Sequence, residues 1–120
     1  MRKISFLLGL SAVFASANLA GAAQVDIIEG EAPAGAPVVE IDIKKQKYVP
    51  ATMEIAPGTI IKWTNHDAIP HNVKLPAPIE VTGKMLRAGQ SFEMRFNEAG
   101  EYSYVCGPHP YMKGQIIVKP

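Results

Sequence analysis

A strict alternation of apolar and charged residues stands out in residues 92–96. Phe92, Met94 and Phe96 are separated by Glu93 and Arg95. Because side chains on a β-strand point alternately to opposite faces, this pattern places the three apolar side chains on one buried face. The segment is therefore predicted to be a strand that covers a hydrophobic core on one side.

The chain after residue 37 continues in this way, because short runs rich in β-branched and aromatic residues alternate with turn residues such as Pro57-Gly58. Tyr102, Tyr104 and Cys106 occupy every second position of one run and share a face. No segment shows a sustained helical period. Seven or eight short strands indicate an all-β sandwich or a small barrel. The predicted strands are Val38–Ile43, Thr52–Ile55, Thr59–Asn65, Asn72–Leu75, Ser91–Phe96, Glu101–Cys106 and Gln115–Val118.

The first 22 residues have the layout of a secretory signal peptide. Arg2 and Lys3 precede an apolar run from Ile4 to Phe14, and small residues then lead to Ala20-Gly21-Ala22. A membrane anchor is the alternative, but polar and glycine residues interrupt a stretch that needs about 20 apolar residues to span a bilayer. We therefore expect residues 1–22 to be a signal peptide, cleaved after Ala22 or the next alanine.

The remaining 98 residues divide by composition. Residues 23–37 are rich in Ala, Gly, Pro and Glu and are predicted to be a flexible arm with at most one short strand. Residues 38–120 are predicted to form the folded domain. The full chain has a net charge of +1, but residues 23–120 contain ten cations and eleven carboxylates and carry −1.

Composition narrows the class of protein further. Apolar residues make up 48% and charged residues 19%, which favours a packed core over disorder. The near-zero net charge gives no indication of a nucleic-acid partner. The single cysteine, Cys106, excludes an internal disulfide and any metal site built on cysteines alone.

Four residues carry candidate metal chemistry: His71, Cys106, His109 and Met112. The last three form a C-x2-H-x2-M pattern directly after a predicted strand. Two histidines and one cysteine in a plane, with a weak axial methionine, are the ligand set of a blue-copper electron-transfer site. The prolines on either side of His109 restrict the loop backbone and can hold the ligands in place before a metal binds.

Several of these residues also allow a more ordinary interpretation. A single cysteine in a small β domain is most often a buried apolar residue, but export would expose its thiol to an oxidising compartment. A hydrolase with a Cys106–His dyad is disfavoured, because Pro108 and Pro110 remove N–H groups that an oxyanion hole needs. A copper chaperone or storage protein usually presents several exchangeable Met or Cys ligands rather than one closed set. His66, next to Asp67 in a polar turn, is expected to be a solvated loop residue.

Together, the segments Trp63-Thr64-Asn65, Pro70-His71-Asn72-Val73 and Ala99-Gly100-Glu101-Tyr102 and the Cys106–Met112 loop resemble the cupredoxins. The short loop is similar to that of the amicyanins among them. The resemblance implies an eight-stranded Greek-key sandwich with one copper ion at one end. It further implies a monomeric periplasmic electron carrier, not an enzyme, with no membrane span after signal cleavage. In amicyanins the donor is a methylamine dehydrogenase and the acceptor a c-type cytochrome; a pseudoazurin-like donor to another periplasmic reductase is the alternative.

The resemblance also implies roles for residues around the ligands. The backbone N–H of Asn72 is expected to donate to the Cys106 sulfur, and its side chain to tie the two ligand loops together. Gly107 and Ile69 depart from the family pattern, which has a hydroxyl residue and a methionine there; Gly107 is expected to remove a side-chain partner of Asn72. An apolar rim that includes Ile69 and Met85 is expected around His109, on a molecule with almost no net charge.

Overall fold

The computed structural model describes residues 23–120, which fold into ten strands in two five-stranded sheets. The predicted all-β sandwich is confirmed. The strands are β1 (Val25–Ile28), β2 (Val38–Lys44), β3 (Lys47–Val49), β4 (Thr52–Ile55), β5 (Thr59–Asn65), β6 (Lys74–Leu75), β7 (Val81–Thr82), β8 (Ser91–Phe96), β9 (Gly100–Val105) and β10 (Lys113–Val118).

The first sheet has the strand order β1-β8-β5-β2-β3, and the second has the order β4-β10-β9-β6-β7. Most neighbouring strands are antiparallel, but β2 runs parallel to β5 and β4 runs parallel to β10. In this arrangement β5 and β9 finish, and β8 and β10 begin, at the same end of the sandwich. We call this the ligand end, because the residues that follow β5 and β9 there are His71 and Cys106.

The core between the sheets consists of the side chains that the alternating pattern predicted. Phe92, Met94 and Phe96 on β8 are buried, and Trp63 on the central strand β5 is fully buried. The Trp63 indole Nε1–H donates a hydrogen bond of 3.2 Å to the Tyr104 hydroxyl on β9, which joins the two sheets through the core. This polar contact satisfies a buried donor that would otherwise cost free energy.

The differences from the predicted strands are confined to short elements and strand ends. β3 and β7 are three and two residues long, too short for a period to show in the sequence. β6 begins at Lys74 rather than Asn72, because Asn72 is used by the site described below. Val25–Ile28 pairs with β8, so residues 23–37 contain the one short strand that their composition allowed.

Two predictions concern export and the membrane. The predicted signal peptide, residues 1–22, lies outside the described residues. Residues 23–120 contain no helix with the length and apolarity needed to cross a membrane.

A glycine on β10 holds the strand that leads to Cys106 close to its neighbour. Gly114 pairs with Tyr104, and the tyrosine ring lies directly over the glycine. A Cβ atom at Gly114 would approach Tyr104 Cζ to 2.2 Å, far inside van der Waals contact. Any other residue at position 114 would therefore displace the ring, and with it the strand that ends at Cys106.

Candidate metal centre

Three of the four predicted ligands bring their donor atoms together at the ligand end. Nδ1 of His71, Sγ of Cys106 and Nδ1 of His109 all lie within 4.8 Å of one another. The two nitrogens are 3.2 Å apart, and the sulfur is 3.7 Å from His71 Nδ1 and 3.5 Å from His109 Nδ1. His71 and Cys106 are fully buried, and His109 is partly exposed.

These separations fit a transition-metal ion. The triangle that they define has a centre about 2 Å from each corner, and metal bonds to imidazole nitrogen and thiolate sulfur measure about 2.0–2.3 Å. One thiolate and two imidazoles are a donor set that copper prefers, because thiolate is soft and imidazole is borderline. The residues present therefore fit a copper ion without any change in the backbone.

His71 is placed by hydrogen bonds from a separate part of the chain. Its backbone N–H and C=O exchange hydrogen bonds of 3.2 and 2.8 Å with Leu86. Its ring Nε2 lies 2.8 Å from an Asp67 carboxylate oxygen. Since an ionised carboxylate can only accept, Nε2 carries the ring proton, and Nδ1 is left with its lone pair directed towards Cys106.

Asp67 is a functional residue that the sequence analysis missed. Its carboxylate also accepts hydrogen bonds from the backbone N–H groups of Lys45 and Gln46, at 2.7 and 2.8 Å. Both residues have positive φ, so the β2–β3 turn directs two consecutive N–H groups at the carboxylate. Burial would raise the pKa of Asp67, but the hydrogen bonds from Gln46, Lys45 and His71 outweigh it and lower the pKa. The sequence feature that could have identified Asp67 is its position four residues before the candidate ligand His71.

Cys106 follows the last residue of β9, on the same face as Tyr102 and Tyr104, as the alternation predicted. The loop after it is closed by three of its own backbone hydrogen bonds: Cys106 N–H to Met112 O, Met112 N–H to His109 O, and His109 N–H to Cys106 O. Met112, the last residue of this loop, is buried. The chain from Cys106 to Met112 therefore forms a compact turn that presents His109 beside Cys106.

Asn72 connects the two ligand segments in the way that the resemblance implied. Its backbone N–H faces Sγ of Cys106 at 3.5 Å, and its side-chain Nδ2 donates to Gly83 O at 3.0 Å. Its Oδ1 accepts a hydrogen bond of 2.7 Å from the backbone N–H of Gly107. Asn72 therefore keeps a backbone partner at position 107, although Gly107 offers it no side-chain partner.

A buried tyrosine supports this connection from below. The Tyr48 hydroxyl donates a hydrogen bond of 2.5 Å to the backbone carbonyl of Asn72. Burial, followed by the charge of the Cys106 thiolate, raises the pKa of Tyr48, so the hydroxyl keeps its proton and remains a donor. Tyr48 lies in none of the predicted strands. Its role depends on β3, which the sequence did not reveal.

His66 lies outside the cluster, as expected of a loop residue. It is about half exposed, and its Nε2 lies 3.0 Å from Asp42 Oδ1 on β2. The structure therefore separates two neighbouring histidine–aspartate pairs. His71–Asp67 points into the cluster, and His66–Asp42 lies on the surface beside it.

The chain is similar to known copper proteins along most of its length. The family model for copper-binding proteins of the plastocyanin/azurin family matches residues 36–119. Amicyanin-alpha of Methylorubrum extorquens is 39% identical over 123 residues, covering 99% of this chain and 100% of that protein. Amicyanin of Paracoccus versutus is 33% identical over 118 residues, covering 95% of this chain and 88% of that protein. The crystal structure of amicyanin from Paracoccus versutus has a TM-score of 0.69 at 34% identity, covering 80% of this chain and 98% of that one.

Proposed function

Because the chain belongs to the plastocyanin/azurin family of copper-binding proteins and is a type 1 copper electron-transfer protein, we propose that His71, Cys106, His109 and Met112 hold its copper ion. The observation that carries this assignment is the convergence of three donor atoms within 4.8 Å at one end of the sandwich. The assignment of Met112 as the fourth ligand rests on the C-x2-H-x2-M spacing and on its burial at the end of the loop.

Bound copper supplies a centre that alternates between Cu(I) and Cu(II) and so carries one electron at a time. The protein contributes a fixed donor set. Asp67 holds the tautomer and orientation of His71, and the Asn72 N–H donates to the Cys106 sulfur. Pro108 has no N–H and gives the sulfur no second backbone donor. A thiolate with a single backbone donor keeps more of its charge, which favours Cu(II) and lowers the reduction potential.

We further propose that the protein works in the periplasm as a monomeric carrier and not as an enzyme. The support is the signal-peptide pattern of residues 1–22 and the similarity to proteins named amicyanin. Its donor would be a dehydrogenase of the methylamine type, and its acceptor a c-type cytochrome. The closed and largely buried ligand set argues against a copper chaperone or store, which must release its metal to partners.

Copper titration tests the ligand assignment. One equivalent of Cu(II) should give the copper-free protein the intense blue colour of a thiolate–Cu(II) bond. Cys106→Ala should stay colourless while its far-ultraviolet circular dichroism remains that of the wild type, because the core is apolar without the metal. His71→Ala should lose the colour, whereas His66→Ala should keep it, since only His71 faces the sulfur. A wild-type protein that binds copper without turning blue would contradict the proposal.

The partners are proposed to meet an apolar patch around His109, formed by Ile69, Met85 and Tyr111. Their side chains are exposed by 41%, 44% and 63%, which is unusual for large apolar residues that share one end of a small domain. Electron-transfer complexes are small and short-lived, and apolar contact supports fast release. Ile69→Ser should slow electron self-exchange between oxidised and reduced protein, measured by nuclear magnetic resonance line broadening.

The matched control is Ile27→Ser, because Ile27 on the edge strand β1 is equally exposed, at 44%, but lies away from the ligand end. We expect the control to exchange electrons at the wild-type rate. Both variants should keep the wild-type colour and potential. Equal slowing in both variants would show that the patch is not where electrons pass.

A further inference from the structure

Charge is distributed unevenly between the two ends of the molecule, although the total is close to zero. Residues 23–120 contain ten cations and eleven carboxylates. Six cations with exposed side chains lie on the β2–β3 hairpin or next to residues that contact the candidate ligands. These six, which we call the basic ring, are Lys44, Lys45, Lys47, Lys74, Arg87 and Lys113.

Three members of the basic ring lie on the β2–β3 hairpin. The backbone N–H of Lys45 donates to Asp67, which accepts from His71, so Lys45 is two hydrogen bonds from a ligand. Lys44 and Lys47 are direct cross-strand partners. Like charges in that position destabilise a hairpin, so the fold itself does not favour this pair.

The other three members surround the remaining ligands. Lys113 directly follows Met112 and pairs with the residue before Cys106. Lys74 lines a shallow surface pocket together with Gly107 and Pro110 of the ligand loop. Arg87 follows Leu86, whose backbone exchanges hydrogen bonds with His71.

The carboxylates at this end do not neutralise the ring. Asp42 and Asp67, the carboxylates beside the hairpin, are each bonded to a histidine instead. Glu29, which follows β1 towards this end, lines a surface pocket with Lys84, which is not a member of the ring. None of the three ion pairs found among the described residues includes a member of the ring. None of the six cations of the ring is therefore paired with a carboxylate near it, whereas Glu54, Glu98 and Glu101 lie towards the opposite end.

We propose that the basic ring attracts and orients a redox partner whose own electron-transfer site is surrounded by acidic side chains. This inference rests on the proposed electron-transfer function and deepens it by assigning the chemistry of the partner. The ring lies around the exposed apolar patch, so long-range attraction brings a partner to the surface nearest the ligands, and apolar contact then completes a short-lived complex. The net charge of −1 alone predicts no such attraction; it predicts a slight repulsion of anions.

Small redox complexes test the charge that an approaching partner meets. The reduced, copper-loaded protein gives up one electron, and hexacyanoferrate(III) becomes hexacyanoferrate(II). We expect the rate of this electron transfer to fall about tenfold or more between 10 mM and 200 mM salt, because screening removes the attraction of the anionic complex to the ring. With the cationic tris(phenanthroline)cobalt(III), which is likewise reduced by one electron, the rate should rise with salt. A rate with hexacyanoferrate(III) that rises or stays constant with salt would overturn the proposal.

Two charge reversals locate the effect. Lys47→Glu and Lys119→Glu change the net charge equally, but Lys47 belongs to the ring and Lys119 pairs with Glu54 away from it. At 10 mM salt, Lys47→Glu should react severalfold more slowly with hexacyanoferrate(III), and Lys119→Glu should match the wild type. Neither should change the colour or the potential. Equal slowing in both variants would mean that net charge, and not the ring, governs the approach.

Two c-type cytochromes of similar potential, one with an acidic and one with a basic haem edge, test the partner class. The acidic cytochrome should be reduced faster at low salt, and the advantage should disappear at high salt. If the acidic cytochrome has no advantage and the protein instead sediments with phosphatidylglycerol vesicles, the ring serves a membrane surface and the proposal is wrong. If the copper-loaded protein reduces neither metal complex, the electron-transfer function fails; if it reduces both with the same salt dependence, only the present inference fails.

Discussion

The two segments that carry the histidines are held in place in different ways. Residues 65–72, which include His71, are fixed by contacts with distant parts of the chain. Asn65 Nδ2 donates to Ile69 O at 3.0 Å and to Leu86 O at 2.9 Å, and Asn65 Oδ1 accepts from the backbone N–H of Asp67. This segment is folded around a buried asparagine and is anchored to the strands on both sides.

Residues 106–112, which include His109, are held mainly by their own backbone hydrogen bonds and two prolines. Besides the contacts among the candidate ligands and the Asn72 N–H that faces the Cys106 sulfur, two hydrogen bonds reach them from outside the loop. Asn72 accepts from Gly107 on the inner side, and on the outer side the Tyr111 hydroxyl donates to the Gln46 side chain. Tyr111 also packs beside the His109 ring, with ring centroids 5.9 Å apart.

The difference shows how a small protein can keep a metal site rigid while exposing part of it. The buried histidine takes its position from the core and from Asp67, so its orientation does not depend on the metal. The exposed histidine takes its position from a short loop that few other residues cover, which leaves its ring edge near the surface. Asn72 belongs to the first region, and its side chain accepts a hydrogen bond from the Gly107 N–H of the second, so it couples the two regions.

Removing the coupling through Asn72 should have the largest effect on stability and on copper binding. Asn72→Ala leaves the Gly107 N–H and the Gly83 carbonyl without their partner, and each buried group left unpaired costs about 1–3 kcal/mol. We expect a corresponding fall in the free energy of unfolding of the copper-free protein, measured by urea denaturation, together with weaker copper binding.

Asn97→Ala is the matched control, because the Asn97 side chain also makes two hydrogen bonds, but these are exposed and lie at the opposite end. It should lower the stability by less and leave copper binding unchanged. If Asn72→Ala behaved like this control, the two ligand segments would be independent of each other.

A smaller effect is expected where only one region is changed. Asp67→Asn removes the charge that fixes the His71 ring, and loss of such a partner typically weakens metal binding about 10- to 100-fold. Competition with a copper chelator measures the affinity. Asp42→Asn removes a carboxylate from the neighbouring His66 pair and should leave the affinity within about twofold of wild type, because His66 does not face the cluster. Comparable losses in both variants would assign the effect to surface charge rather than to the orientation of His71.

The same contrast explains what the sequence could and could not predict. Cys106, His109 and Met112 lie within seven residues, so their spacing carries the chemistry without knowledge of the fold. The longer strands, β2, β4, β5, β8, β9 and β10, were predicted because the residue patterns that indicate them are local. Asp67 and Tyr48 act through the β2–β3 hairpin, and that contact depends on the parallel register of β2 and β5, which no local pattern encodes. The basic ring was hidden for the same reason, since net charge contains no information about position.

The smallest effect concerns the two tyrosines beneath the two regions, Tyr48 under Asn72 and Tyr104 on the strand before Cys106. Burial raises the pKa of both hydroxyls above the value of about 10 found in an unfolded chain. Above about pH 10 the unfolded chain loses these protons while the folded protein keeps them, so stability should fall by about 1.4 kcal/mol per pH unit for each tyrosine. Tyr48→Phe and Tyr104→Phe should each remove one such contribution to the pH dependence of stability, measured by urea unfolding of the copper-free protein between pH 8 and 11.5.

At neutral pH each variant loses a hydrogen bond and with it about 1 kcal/mol of stability, but only Tyr48→Phe leaves the Asn72 carbonyl unpaired. Tyr48→Phe should therefore also weaken copper binding slightly relative to Tyr104→Phe, and equal copper affinities would show that the His71 segment does not depend on the hairpin beneath it.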